Sequence, residues 1–136
     1  MVKAAGAKPG HGDHRLYAEI WDPVDKKLLA WGHNSKDDSD LSVAYAKHHE
    51  VVGTHAEVAA IVNALSRHVR INGASMFIAR AKKLRRGGRY VAGLAQPCDG
   101  CKKIIDDFGI MDLIYTFGQK GEFIQTVHVL RGSHGF

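Results

Sequence analysis

Apolar and polar side chains alternate from Arg15 to Trp21. Leu16, Ala18 and Ile20 fall on one side and Tyr17 and Glu19 on the other, the two-residue period of a half-buried strand. Asp22-Pro23-Val24-Asp25 has the composition of a tight turn. Leu28 to Gly32 is strand-like again, so the two runs are read as a hairpin. Asn34 to Asp40 is polar and reads as a loop, and Leu41 to Glu50 has room for a short helix. The period then lengthens. Val58, Ile61, Val62 and Leu65 recur at helical spacing, which predicts a helix running to about His68. Thr54 fits its N-cap and Glu57 its third helical position, the reciprocal pattern of a capping box.

Asn72-Gly73 closes that unit, and Met76-Phe77-Ile78-Ala79 is a short apolar run suited to a buried central strand. Tyr90 to Leu94 is either a return strand or an extended approach to Pro97. A second helix is expected from near Cys98 to about Phe108, stopped at Gly109, with Ile104, Ile105 and Phe108 facing inward. Leu113 to Phe117 reads as a strand, and the alternation from Phe123 to Leu130 as a last strand at a sheet edge. This order predicts an α/β domain with helices covering a mixed sheet. The 136 residues fit one core, with residues 1–13 a flexible polar lead-in and 14–136 a single domain.

Composition adds two expectations. No apolar run reaches membrane-spanning length, and the first ten residues lack the apolar stretch of a signal peptide, so a cytoplasmic protein without a membrane partner is expected. The formal net charge of +5 is unevenly spread: Arg80, Lys82, Lys83, Arg85, Arg86 and Arg89 crowd around a Gly87-Gly88 turn signal. Such a run is either a solvated hairpin tip or a loop that contacts phosphates.

The candidate chemistry lies in His55-Ala56-Glu57 and, about 40 residues later, Pro97-Cys98-Asp99-Gly100-Cys101. The chain has 2 cysteines, and CxxC spacing lets both reach one metal. One imidazole and two thiolates make a three-ligand set, which leaves tetrahedral Zn2+ one position for water. Glu57, two residues from His55, is placed to move protons for that water. Helix starts at both segments would stabilise thiolates through their positive dipole ends. CxxC alone could equally be redox-active or half of a structural zinc site, and His-x-Glu alone is common on helices. The remaining histidines read as ordinary surface or packed residues, with His11 and His14 able to bind metal adventitiously.

The two segments together resemble the H-x-E…P-C-x-x-C signature of the cytidine deaminase-like zinc nucleobase deaminases. The likeness runs from the Leu16–Trp31 hairpin to the Leu113–Phe117 strand. It implies a three-layer α/β/α fold with a central mixed sheet of about five strands. It also implies one Zn2+ held by His55, Cys98 and Cys101, with Glu57 as the proton shuttle. Gly32-His33-Asn34-Ser35 resembles the family's sugar-contacting loop, which makes Asn34 the candidate there. The N–H of Ala56 corresponds to the family's contact to the base carbonyl, and Pro97 is grouped with them on the substrate side.

Subfamily comparison narrows the substrate. Free-cytidine deaminases usually carry a third Cys where this chain has His55. Many deoxycytidylate deaminases add a second zinc site with further Cys, which this chain lacks. Polynucleotide cytosine deaminases carry a Ser-Trp-Ser-type run where this chain has Leu94-Ala95-Gln96, and tRNA adenosine deaminases read Glu-Pro-Cys where it has Gln96-Pro97-Cys98. The expectation is a hydrolase converting cytosine to uracil in a phosphate-bearing deoxycytidine, with single-stranded nucleic acid slightly favoured over a mononucleotide because of the basic segment. Alternatives are a deoxycytidylate deaminase, a purine deaminase, and a non-catalytic nucleic-acid-binding module stabilised by zinc. The implied partner is a nucleotide or single-stranded nucleic acid, and family members span monomers to hexamers.

Overall fold

The structure, a computed structural model, describes residues 14–35, 55–83, 90–117 and 122–127. Its elements are β1 (His14–Asp22), β2 (Lys27–His33), α1 (Ala56–Ser66), β3 (Ser75–Lys83), β4 (Tyr90–Gly93), α2 (Asp99–Asp107), β5 (Asp112–Phe117) and β6 (Glu122–Val127). The six strands form one sheet of order β2-β1-β3-β5-β6, with β4 paired to β3 off that path. The expected hairpin is present: β1 and β2 pair antiparallel, with Asp22 Oδ1 accepting from Val24 N–H and Asp25 N–H in the turn. β4 is the return strand, and it raises the expected count of about five to six. The expected Leu41–Glu50 helix and residues 128–130 of the expected last strand lie outside the described residues.

Strand directions place the functional end of the domain. β1 is antiparallel to both β2 and β3, and β3 is parallel to β5. Strands β2, β3 and β5 therefore all point one way. α1 lies in the crossover from β2 to β3, and α2 in the one from β3 to β5. Each helix must return against the strand direction, so both begin at the edge where these strands end. At the opposite edge the helix exits are tied together: Gly73 N–H donates to Gly109 O (2.8 Å) and Met111 N–H to Ala74 O (2.8 Å).

Register defines the core. Ala18 and Ile20 on β1 face Gly32 and Ala30 on β2 and Ile78 and Met76 on β3, and the latter two face Tyr115 and Leu113 on β5. These positions share one sheet face and join Ala56, Val58, Ala60, Ile61 and Ala64 of α1 and Cys101, Ile104 and Ile105 of α2 in one buried cluster. Both described helices thus cover the same face, so the described residues comprise a sheet and one helical layer. Among them no helix is long and apolar enough to cross a membrane.

The α1 stripe differs from expectation. Val58 and Ile61 are buried, but Val62 is only half-buried and Leu65 is 46 % exposed, while three alanines take the inner positions. The reason is proximity. A Cβ on Gly32 would lie 2.6 Å from the carbonyl carbon and Cβ of Ala59, and closer still to the nitrogen of Ala60. The helix rests on the strand backbone, so small residues replace the large stripe. Its start also differs. The N-cap is His55, not Thr54, which puts Glu57 at the second helical position rather than the third, and no side chain caps the helix start.

Both helices end in the same six-residue closure. Val69 N–H donates to Ala64 O with His68 at φ 55, and Ile110 N–H donates to Ile105 O with Gly109 at φ 77. His68 is therefore the residue after the C-cap and not the last helical one. On the exposed edge of β2, Asn63 Nδ2 donates to Trp31 O (3.0 Å) and Arg67 Nη1 to Leu29 O (2.8 Å). The Arg67 guanidinium also lies 5.2 Å from the Trp31 ring centre. Covered carbonyls blunt an edge strand against pairing with another chain.

Because Gly32 sets the depth of α1, Gly32→Ala is expected to lower stability by about 1–3 kcal/mol, the usual cost of forced overpacking. The helix start that carries His55 and Glu57 should shift with it. Denaturant unfolding checks the first effect and zinc binding by the folded variant the second. Parent-like values in both would show that the close contact carries no strain.

Candidate metal centre

Two segments that enter helices in the same way build the site. His55 is the N-cap of α1 (φ −74, ψ 155) and Cys98 the N-cap of α2 (φ −69, ψ 170), both extended. Their carbonyls accept the first intrahelical bonds, from Ala59 N–H and Lys102 N–H, each at 2.9 Å. An N-cap side chain ordinarily turns back to satisfy helix N–H groups. Neither does so here. The imidazole and the thiol point at each other instead.

His55 Nδ1 lies 3.2 Å from Cys101 Sγ and 3.6 Å from Cys98 Sγ. The three donor atoms all fall within 4.8 Å of one another. Four-coordinate zinc with Zn–S of about 2.3 Å and Zn–N of about 2.0 Å spaces its N and S donors by about 3.5 Å. The donor set therefore fits zinc in both type and spacing. Cys101 is fully buried and Cys98 half-buried, which leaves the cluster approachable from the Cys98 side.

Glu57 closes the site from α1. It is 3 % exposed, and its Oε1 has no hydrogen-bond partner among the described residues. Burial pushes its carboxyl above the usual carboxylate range; its own backbone N–H, the nearby His55 and a hydrogen bond with Cys101 work in the opposite direction. The hydrogen bond with Cys98, then burial and the adjacent Glu57, push the Cys101 thiol far up. A divalent cation between the sulfurs reverses that balance and favours thiolate.

The other expected residues are placed as follows. Ala56 is the first residue of α1 and fully buried. Pro97 is buried directly before Cys98. Asn34 follows β2 at the same sheet edge, and its Oδ1 accepts from Leu16 N–H at 2.9 Å. Arg80 is half-buried on β3, with Nη1 donating to Leu94 O at 3.4 Å. Lys82 and Lys83 belong to β3 without described side chains, and Arg85, Arg86 and Arg89 lie outside the described residues. One residue that the sequence reading passed over is Thr116, fully buried on β5. Its only signal was a hydroxyl within an apolar strand.

A His-Cys-Cys donor set at two helix starts, with a buried carboxylate beside it, defines a metal-dependent hydrolase type of centre. Residues 12–117 match the cytidine and deoxycytidylate deaminase zinc-binding region, and the chain belongs to that family. No curated protein sequence matches it significantly. Among solved structures, the chain is similar to the dCMP deaminase of the cyanophage S-TIM5 in its apo form. The TM-score is 0.55 at 19% identity, covering 88% of this chain and 82% of that one. That likeness confirms the α/β fold.

Metal analysis of freshly purified protein is expected to give about one zinc per chain. Cys101→Ala should lose most of it. Full retention of zinc in that variant would exclude Cys101 from the cluster.

Proposed function

We propose that the chain hydrolyses the exocyclic amine of cytosine in a phosphate-bearing deoxycytidine, with a mononucleotide such as dCMP as substrate. The observation that carries this reading is the Glu57 carboxylate, buried and with Oε1 unpartnered, beside the His55-Cys98-Cys101 cluster. Family membership supports the reaction class, and the cyanophage neighbour, named as a dCMP deaminase, supports the mononucleotide. The basic segment from Arg80 to Arg89 keeps single-stranded nucleic acid as the competing substrate.

His55, Cys98 and Cys101 would hold the zinc. Bound there, it supplies the Lewis acidity that lets water act as a nucleophile near neutral pH. Glu57 accepts a proton from the water as its oxygen adds to C4 of the base, and delivers one to the ring nitrogen N3. It then carries a further proton to the amino group, which leaves as ammonia, so that water and cytosine become uracil and ammonia. In this reading the N–H of Ala56 at the α1 start would donate to the base carbonyl, Pro97 would line the wall before Cys98, and Asn34 would meet the sugar from the end of β2.

Glu57→Gln is expected to keep zinc and fold while losing at least 10²–10⁴-fold in turnover, roughly the range for a general acid–base group. Near-parent turnover would remove Glu57 from the chemistry and leave a zinc-stabilised binding module as the better reading. Substrate choice is tested by incubating the protein with dCMP, cytidine, single-stranded DNA and RNA, and identifying products by mass. Deamination of dCMP well above either strand is expected. A strand preference whose log–log salt slope falls by about 0.7 for each basic residue neutralised would establish the polynucleotide reading instead.

A further inference from the structure

Strand β3 changes partners halfway along one flank. It pairs in parallel with β5 from Ser75 to Ile78, then antiparallel with β4 from Arg80 to Lys83. At the changeover a side chain takes over from the backbone ladder. Thr116 Oγ1 accepts from Arg80 N–H (3.1 Å) and donates to Gly93 O (2.8 Å). The backbone carbonyl of the same residue accepts from Ala95 N–H (2.9 Å), and Arg80 Nη1 reaches Leu94 O (3.4 Å). Gly93, Leu94 and Ala95 are thus each tied down, and Thr116 makes two of the three ties. These are the residues that lead through Gln96 and Pro97 into Cys98.

We propose that the Thr116 hydroxyl is a positioning group for the cysteine half of the metal centre. The proposal rests on the reading that His55, Cys98 and Cys101 hold zinc. Thr116 is fully buried and Ala95 almost so. Removing the hydroxyl leaves a buried donor on Arg80 and a buried acceptor on Gly93 without their shared partner. Buried orphan groups are costly, and a shift of β4 that relieved them would displace the segment leading to Cys98, whose Sγ lies 3.6 Å from His55 Nδ1. Thr116 acts on the metal through the backbone and touches neither metal nor substrate.

The test compares the full chain with Thr116→Val, which keeps the shape and loses both hydrogen bonds, and Thr116→Ser, which keeps the hydroxyl. Zinc affinity is measured by chelator competition on folded protein, below the melting temperature of each zinc-free form, which is recorded separately. Thr116→Val is expected to bind zinc about 10–100-fold more weakly, the usual scale for groups supporting metal ligands, and Thr116→Ser to stay within about threefold of the parent. A Val variant with a lower melting temperature but parent-like zinc affinity would overturn the proposal, since the hydroxyl would then be merely structural. A tenfold loss in Thr116→Ser would overturn it too, and this arm decides the matter if Thr116→Val does not fold. Absence of zinc from the parent is a different outcome: it removes the metal reading itself.

Discussion

The approach of the His55 imidazole to two cysteine sulfurs, at 3.2 and 3.6 Å, is the contact on which the rest of the structure depends. The donors come from segments far apart in sequence and meet because the topology brings two helix starts to one sheet edge. Both ends of that arrangement are fixed. At the far edge, Gly73 bonds to Gly109 and Met111 to Ala74, so neither helix can slide along the sheet without breaking these hydrogen bonds. Across the sheet, the Gly32–Ala60 contact fixes the height of α1. Translation along the helix and distance from the sheet are both set by packing, before any metal contributes.

Such rigidity has an electrostatic reason. Burial pushes the Glu57 carboxyl up, and the hydrogen bond with Cys98, burial and the adjacent Glu57 push the Cys101 thiol up. A flexible chain would relieve this by turning one group to solvent. Here the relief is blocked, because Glu57 lies on the inner face of α1 among Ala56, Val58 and Ala60 and Cys101 on that of α2 beside Ile104 and Ile105. The stress is one that a cation resolves, so the protein core supplies part of the selectivity for a charged guest. Leaving both N-cap side chains uncommitted to their helices serves the same end.

The metal half of the site was legible from sequence because its information is local: residue type, spacing and a helix-forming context. His55-Ala56-Glu57 and Cys98-x-x-Cys101 need only a short stretch each, and their order predicted the meeting. The β1–β2 hairpin was legible for the same reason, through alternation and an Asp-Pro turn. The α1 stripe was not. Val62 and Leu65 have the right period, but the distance from helix to sheet is a tertiary quantity, and Gly32, in another element, decides that alanines face inward. The capping box at Thr54 misled because the helix starts one residue later, with His55 as N-cap, and Glu57 bonds its own backbone N–H and Cys101. Thr116 was invisible because its role exists only where β4 displaces β5 beside β3.

That displacement also bears on how the site meets its substrate. Beyond Ile78 the sheet continues past the end of the β3–β5 ladder as β3 and β4, flanked by β1 up to His14. The added ribbon extends β3 at the edge where the helices begin, and Arg80, Lys82 and Lys83 belong to that stretch of the strand. A polar ribbon in that place has two physical uses. It can present one cation to the single phosphate of a nucleotide whose base lies over the cluster, or several cations in line to successive phosphates of a strand. The first needs one cation near the sheet; Arg80 is half-buried there, with Nη1 donating to Leu94 O. The second needs charges spaced along the ribbon and draws its affinity from counterion release rather than from any one contact. The two substrate readings thus differ in what they ask of β3: a single cation close to the sheet, or a row of cations along the chain.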